Sequence, residues 1–113
     1  MEPAALLRKP ARLMKQTGIG CVVVEVDGAL EGILNERDFF NAVAIFADLD
    51  RDMVSNWMTD DPDSSGPEMG VVEAVNWMLA TGYRHLLVVD EPSVLGVISM
   101  RDVLWAIPEP SPV

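Results

Sequence analysis

Gly32-Ile33-Leu34-Asn35-Glu36-Arg37-Asp38 returns 64 residues later as Gly96-Val97-Ile98-Ser99-Met100-Arg101-Asp102. A glycine, two apolar residues, a small polar residue and an Arg-Asp pair keep their places in both stretches. Carried outward at the same offset, residues 3–43 overlie 67–107 without a gap. Pro3 falls on Pro67, Met14 on Met78, Thr17-Gly18 on Thr81-Gly82, Val24 on Val88 and Ala42 on Ala106. With Gly32/Gly96 and Arg37-Asp38/Arg101-Asp102, this makes nine identities in 41 positions. Most other core positions exchange one apolar residue for another, as in Val22/Leu86, Ile33/Val97 and Phe40/Leu104. Punctuation and hydrophobic pattern kept together mark two copies of one supersecondary unit.

Each copy reads as helix, strand, strand, helix. Pro67 suits a first helical position, and Val71, Val75 and Met78 then share one helical stripe. Gly82, or Gly18 in the first copy, supplies a left-handed residue to end that helix. The β-rich runs Val22 to Val26 and Leu86 to Val89 follow. Asp27-Gly28 and Glu91-Pro92-Ser93 mark turns into second strands at Leu30 to Leu34 and Val94 to Ile98. Asn35 or Ser99 then caps a closing helix, whose apolar face holds Phe39, Val43 and Phe46, or Val103 and Trp105 with Ile107 near its end. Met53-Val54-Ser55-Asn56-Trp57-Met58-Thr59 reads as a short strand leading into the second copy. The first copy has no such leader. Pro10 falls inside the first helix, where it predicts a kink costing about 3 kcal/mol. The proline-rich residues 108–113 read as a frayed tail.

One such unit exposes a sheet face, which packing sheet to sheet against its twin would bury. The expected fold is therefore α+β, one body of two pseudo-symmetric repeats: 1–47, truncated at its start, and 48–107.

Half of the 113 residues are apolar and 23% are charged, as in an ordered globular chain. The apolar runs are far shorter than a bilayer requires, and no signal peptide is visible. Cys21, the one cysteine, reads as a small buried hydrophobe in a reduced, cytoplasmic setting. Eighteen acidic against eight basic residues give a net charge of −10, which disfavours nucleic-acid binding. Asp48-x-Asp50-x-Asp52 fails as a calcium loop, because Met53 and Thr59 stand where glycine and glutamate belong. Asp60-Asp61-Pro62-Asp63 reads as a solvated turn. The sequence contains no glycine-rich phosphate loop, no His/Cys metal cluster and no nucleophile paired with a base, so no enzyme is expected and no cofactor is required. Trp57, Trp77 and Trp105 read as core or dimer-interface residues.

Val54-Ser55-Asn56-Trp57-Met58-Thr59-Asp60-Asp61-Pro62, Gly82-Tyr83-Arg84-His85-Leu86-Leu87-Val88-Val89-Asp90 and the 96–102 stretch, in that order, resemble the signatures of a cystathionine-β-synthase-type (CBS) domain. Thr17-Gly18-Ile19-Gly20 and the 32–38 stretch are similar but less complete. The resemblance implies a βαββα unit per repeat, a pair forming a Bateman module, and frequent dimerisation into a disc. It further implies ligand clefts between the repeats for AMP, ADP, ATP or S-adenosylmethionine, and regulation of a partner protein whose identity the sequence does not reveal.

Ser99 and Asp102 carry two readings. As a cap, Ser99 closes the helix while Asp102 faces the positive end of its dipole; Asn35 and Asp38 fit this equally well. As a ligand clamp, the carboxylate accepts both ribose hydroxyls with the serine hydroxyl beside it. Arg84 and His85 resemble a basic pair that meets nucleotide phosphates in the gamma subunit of AMP-activated protein kinase. The first repeat has the uncharged Gly20 and Cys21 there. The family pattern also pairs the Asp of one repeat with the opening segment of the other. For Asn35/Asp38 that segment is Met58-Thr59; for Ser99/Asp102 it is the leader this chain lacks. The alternative reading is a ligand-free module serving dimerisation alone.

Overall fold

The computed structural model describes residues 1–60, 62–91 and 93–106, without the side chains of Leu104 and Ala106. The chain divides into two compact units, Met1–Pro62 and Asp63–Val113. Both are mixed α+β, and each has a three-stranded sheet.

In the first unit, α1 (Arg8–Thr17) leads to β1 (Cys21–Val26), β2 (Ala29–Asn35) and α2 (Glu36–Ala44), and β3 (Thr59–Asp60) closes the sheet in the order β1-β2-β3. The Asp27-Gly28 turn has positive φ at both residues, 51° and 80°. That is the two-residue hairpin geometry such a pair favours. Leu7, Met14, Val22, Val24, Leu34, Ala42 and Val54 form the core.

The second unit runs β4 (Ser64–Ser65), α3 (Val71–Thr81), β5 (His85–Asp90), β6 (Ser93–Ser99) and α4 (Met100–Ala106), with sheet order β4-β5-β6. Ala74, Met78, Leu86 and Val103 form its core. The 64-residue offset reappears bond by bond. Gly18 N–H donates to the Met14 carbonyl as Gly82 N–H does to Met78. A register shift follows Val24 in β1 and Val88 in β5. Glu36 N–H reaches the Gly20 carbonyl as Met100 N–H reaches Arg84.

Several expectations are corrected. Pro67 does not open a helix: it sits in a turn closed by Met69 N–H on the Gly66 carbonyl, and α3 begins at Val71. Pro3 occupies the same place in a turn closed by Ala5 N–H on Glu2. Because α1 starts only at Arg8, Pro10 lies in its first turn, where its missing N–H removes no helical bond and no kink is required.

Met53–Thr59 is not a strand leading the second copy. Val54–Asn56 is a 3-10 turn of the first unit, and Thr59–Asp60 pairs antiparallel with β2. The cause is a set of bonds to the amino-terminal arm: Leu7 N–H to Asp52, Val54 N–H to Ala5 and Ser55 N–H to Pro3. These bonds place residues 48–62 in the first compact unit, although the repeat pattern divides the chain at 47/48. The strand leading the second copy is Ser64–Ser65, parallel to β5. At the offset position of Ser65, the Met1 carbonyl accepts from Glu25 N–H at 3.0 Å.

The closing helices also differ. Ala42 is the buried residue of α2 and Phe39 is half-buried, while Val43 is exposed and Phe46 lies beyond the helix, 95% exposed. Val103 is buried and Trp105 is exposed. Trp57 packs on the first core and Trp77 on the second, where its ring lies 5.7 Å from that of Tyr83. Ile107 and the 108–113 tail, Pro92 of the second turn, and Asp61 of the 60–63 turn lie outside the described residues.

Candidate functional site

Strand pairing gathers the second repeat's candidates at one end of its sheet. His85 stands directly opposite Ser99 in the β5–β6 register. One residue earlier, the Arg84 carbonyl accepts from Met100 N–H at 2.8 Å, tying the start of β5 to the start of α4. Asp102 N–H donates to Ser99 Oγ at 3.1 Å, and Ser99 N–H donates to Asp102 Oδ2 at 2.9 Å. That reciprocal pair is a capping box. Arg84 and Asp102 are exposed, whereas His85 and Ser99 are half-buried. The Ser99 backbone N–H, then its hydroxyl, hold the Asp102 carboxyl below its ordinary 3.8, with His85 and Arg101 adding to the effect. A carboxylate so held stays ionised and keeps accepting hydrogen bonds.

The cap does not exhaust these groups. It uses Oδ2 of Asp102 and a lone pair of Ser99 Oγ. Oδ1 of Asp102 remains to accept. The two readings of the Ser-x-x-Asp spacing are thus chemically compatible.

The first repeat builds the same cap from different residues. Asp38 N–H donates to Asn35 Oδ1 at 3.2 Å and Asn35 N–H to Asp38 Oδ2 at 2.8 Å. Thr59 pairs with Ile33, two positions before Asn35, and Met58 lies over Gly32. Met58, Thr59, Asn35 and Asp38 therefore share one sheet and the helix leaving it. Asp38 is half-buried, and burial raises its carboxyl above the ordinary value. At the places of Arg84 and His85 stand Gly20 and Cys21. The Cys21 thiol is 7% exposed, and burial with the Glu36 carboxylate pushes it up to about 11. At neutral pH it is a protonated, apolar filler.

Two features were not read from the sequence. The Ser65 hydroxyl is buried without a hydrogen-bond partner. Its offset counterpart is Met1, so the repeat pattern held no signal for it. In the first unit, a groove of about 340 Å³ lies between α1 and α2, lined by Ala11, Met14, Phe39, Phe40 and Val43 with Glu36 as its charged member. Helical spacing indicated Phe39 and Val43 but assigned them to a buried face. Among the described residues no cluster of His, Cys, Asp or Glu could hold a metal. Asp50 forms an ion pair with Arg8 at 2.9 Å, and Asp48 accepts from the Asp50 N–H. No described helix is long and apolar enough to cross a membrane.

Fold and site together define a tandem α+β repeat with a polar cap where the second strand of each hairpin enters its closing helix. The chain belongs to the CBS domain family, whose model matches residues 2–45 and 54–109, and it is a tandem CBS pair. It is 27% identical over 103 residues to the CBS domain-containing protein YhcV of Bacillus subtilis, covering 91% of this chain and 74% of that one. A CBS-domain-containing protein from Agrobacterium tumefaciens is similar in structure, with TM-score 0.85, 29% identity, and coverage of 94% of this chain and 86% of the other. So is a CBS domain protein from Pyrobaculum aerophilum complexed with AMP, with TM-score 0.82, 25% identity, and coverage of 90% and 79%.

Proposed function

We propose that this protein is a regulatory module, without catalytic activity of its own, that binds an adenine nucleotide or a related adenosyl compound. The observation that carries this reading is the convergence of Arg84, His85, Ser99 and Asp102 at one end of the second sheet. Asp102 would accept the ribose hydroxyls beside the Ser99 hydroxyl. Arg84 would offer its planar fork to a phosphate, with His85 as a second donor. Asn35, Asp38, Met58 and Thr59 form the weaker counterpart, lacking a charge at Gly20 and Cys21. The AMP complex of the Pyrobaculum relative supports the ligand class; AMP, ADP, ATP and S-adenosylmethionine are the candidates. Regulation requires that the ligand favour one arrangement of the protein over another, because tight binding by itself shifts nothing.

The test is the thermal unfolding midpoint with each compound near millimolar. A ligand at a hundred times its dissociation constant stabilises the fold by about 2.7 kcal/mol. One adenine compound should raise the midpoint. Asp102→Asn, which keeps a cap acceptor but removes the charge, should erase that rise while lowering the ligand-free midpoint only slightly, by the lost charge on the cap. A flat panel across all the compounds would overturn the proposal.

A second reading, a ligand-free dimerisation module, is favoured by the capping boxes, which employ Ser99 and Asp102 with no ligand. A homodimer is compatible with both readings. The Phe40, Val43, Ile45 and Phe46 side chains on and after α2 are strongly exposed, more apolar surface in one place than a small monomer usually shows. Sedimentation of wild type and of the Val43→Asp/Phe46→Asp double variant tests this: a dimer should become a monomer. The regulated partner is a further protein, and the cytoplasm is the expected compartment.

A further inference from the structure

Half of the chain's eight basic residues, Arg8, Lys9, Arg12 and Lys15, stand on the ten-residue helix α1, although the protein carries a net charge of −10. All four are exposed. Arg8, Arg12 and Lys15 follow one another at four and three residues, so they form a single row along two turns, about 10 Å in length. The repeat does not require that row. Its offset counterparts on α3 are Val72, Asn76 and Leu79, also exposed, so the fold accepts uncharged side chains at those places. Asp50 engages Arg8 through both carboxylate oxygens at 2.9 Å. Among the described residues, neither Arg12 nor Lys15 forms an ion pair.

The row borders the apolar groove between α1 and α2. Ala11 and Met14 line the groove from α1. Ala11 lies three residues after Arg8 and four before Lys15, which makes both its neighbours on the helix surface. The facing wall is Phe39, Phe40 and Val43 of α2, with Phe40 72% and Val43 63% exposed. Glu36, the charged lining residue, stands at the start of α2. The groove is apolar within, positive along its α1 rim and negative at the start of its α2 wall.

We propose that this groove receives an acidic amphipathic helix of a partner protein. Apolar side chains spaced three and four residues apart enter between Ala11, Phe40 and Val43, as in other helix-in-groove contacts. Carboxylates on the adjoining flank of the docked helix meet Arg12 and Lys15. Glu36 turns them away from the α2 wall, which fixes the rotation of the docked helix. A recess suits inserted side chains, and the net charge opposes an extended anionic surface such as a bilayer or a nucleic acid, while a short helix meets the row alone. The groove uses none of the residues assigned to the nucleotide and is independent of that reading. It shares Phe40 and Val43 with the surface considered for a homodimer, so a second copy and the partner compete.

The test uses a capped, fluorescein-labelled helical peptide of leucine, glutamate and alanine, its leucines on one stripe and its glutamates on the flank beside it. It is titrated with the whole protein and followed by anisotropy. Saturable binding that weakens as salt rises is expected. Arg12→Gln/Lys15→Gln should keep the unfolding midpoint near that of wild type, since both side chains are exposed, and should weaken binding about tenfold. A peptide with glutamine in place of glutamate should lose affinity to a similar degree, and Phe40→Asp should abolish binding. The proposal is overturned by the absence of saturable binding, by equal binding of the glutamine peptide, or by an affinity unchanged in either variant. A wild-type dimer that the peptide neither enters nor dissociates would assign the groove to a second copy, and binding of phosphatidylserine vesicles in place of the peptide would assign the row to a lipid surface. Each of these overturns it equally.

Discussion

Phe46 ends α2 in a conformation usually left to glycine. Its φ is 59°, its N–H reaches the Val43 carbonyl, and Ala47 N–H reaches Ala42. These are the two bonds of a Schellman motif, with an aromatic residue at the left-handed position. A left-handed non-glycine residue costs roughly 1–2 kcal/mol, and this side chain recovers little of it by burial. Phe46→Gly should therefore stabilise the fold by about 0.5–1 kcal/mol after the entropy of a freer unfolded chain is subtracted, measured by urea denaturation. The two capping carboxylates should respond oppositely to acid. Asp102 is depressed below 3.8 by its Ser99 bonds, so its contribution is complete above 3.8 and is lost as pH falls through its lower folded value. Asp38 is raised by burial, so its charged form opposes folding at neutral pH and protonation relieves that penalty as pH falls through its raised value. On acidification Asp38 should therefore take up its proton before Asp102 does, as carboxyl NMR shifts can show. The reverse order would refute the assignment.

At the scale of elements, the sign of one substitution separates two views of α1. A proline in a helix interior would release about 3 kcal/mol on conversion to alanine. Pro10, buried in the first turn, should instead lose about 1 kcal/mol of ring burial. Leu34→Ala, at a side chain with no exposure on β2, should cost about 2–5 kcal/mol. The hairpins were legible because strand periodicity, the Asp27-Gly28 pair and the terminal Gly18 and Gly82 act locally. Helix starts were less so. Pro3 and Pro67 match either a first helical position or the second position of a turn, and propensity does not separate those uses. The 53–60 segment was misread because its structure comes from bonds to residues 3–7, some fifty positions away. Both capping boxes were visible as spacing. That Asp38 is half-buried and Asp102 exposed was not, since the same motif sits in two different surroundings. Val43 and Phe46 follow helical periodicity outward as readily as inward.

For the whole molecule, −10 charges on 113 residues repel one another. Raising salt from about 10 to about 150 mM shortens the Debye length from roughly 30 to 8 Å, so the unfolding midpoint should rise, as calorimetry can verify. The Arg8–Asp50 pair is exposed and will offset little of that gain. One further consequence follows from Cys21, the single thiol, enclosed in the first unit. Thiol reagents react with the thiolate, and this thiol is both covered and held protonated. Labelling can then proceed only when β1 comes away from its neighbours, so the rate at which reagent is consumed clocks the opening of one half of the protein without any added probe. Set beside tryptophan fluorescence, which draws on both halves through Trp57 and Trp77, that clock would time how independently the two copies of the repeat open.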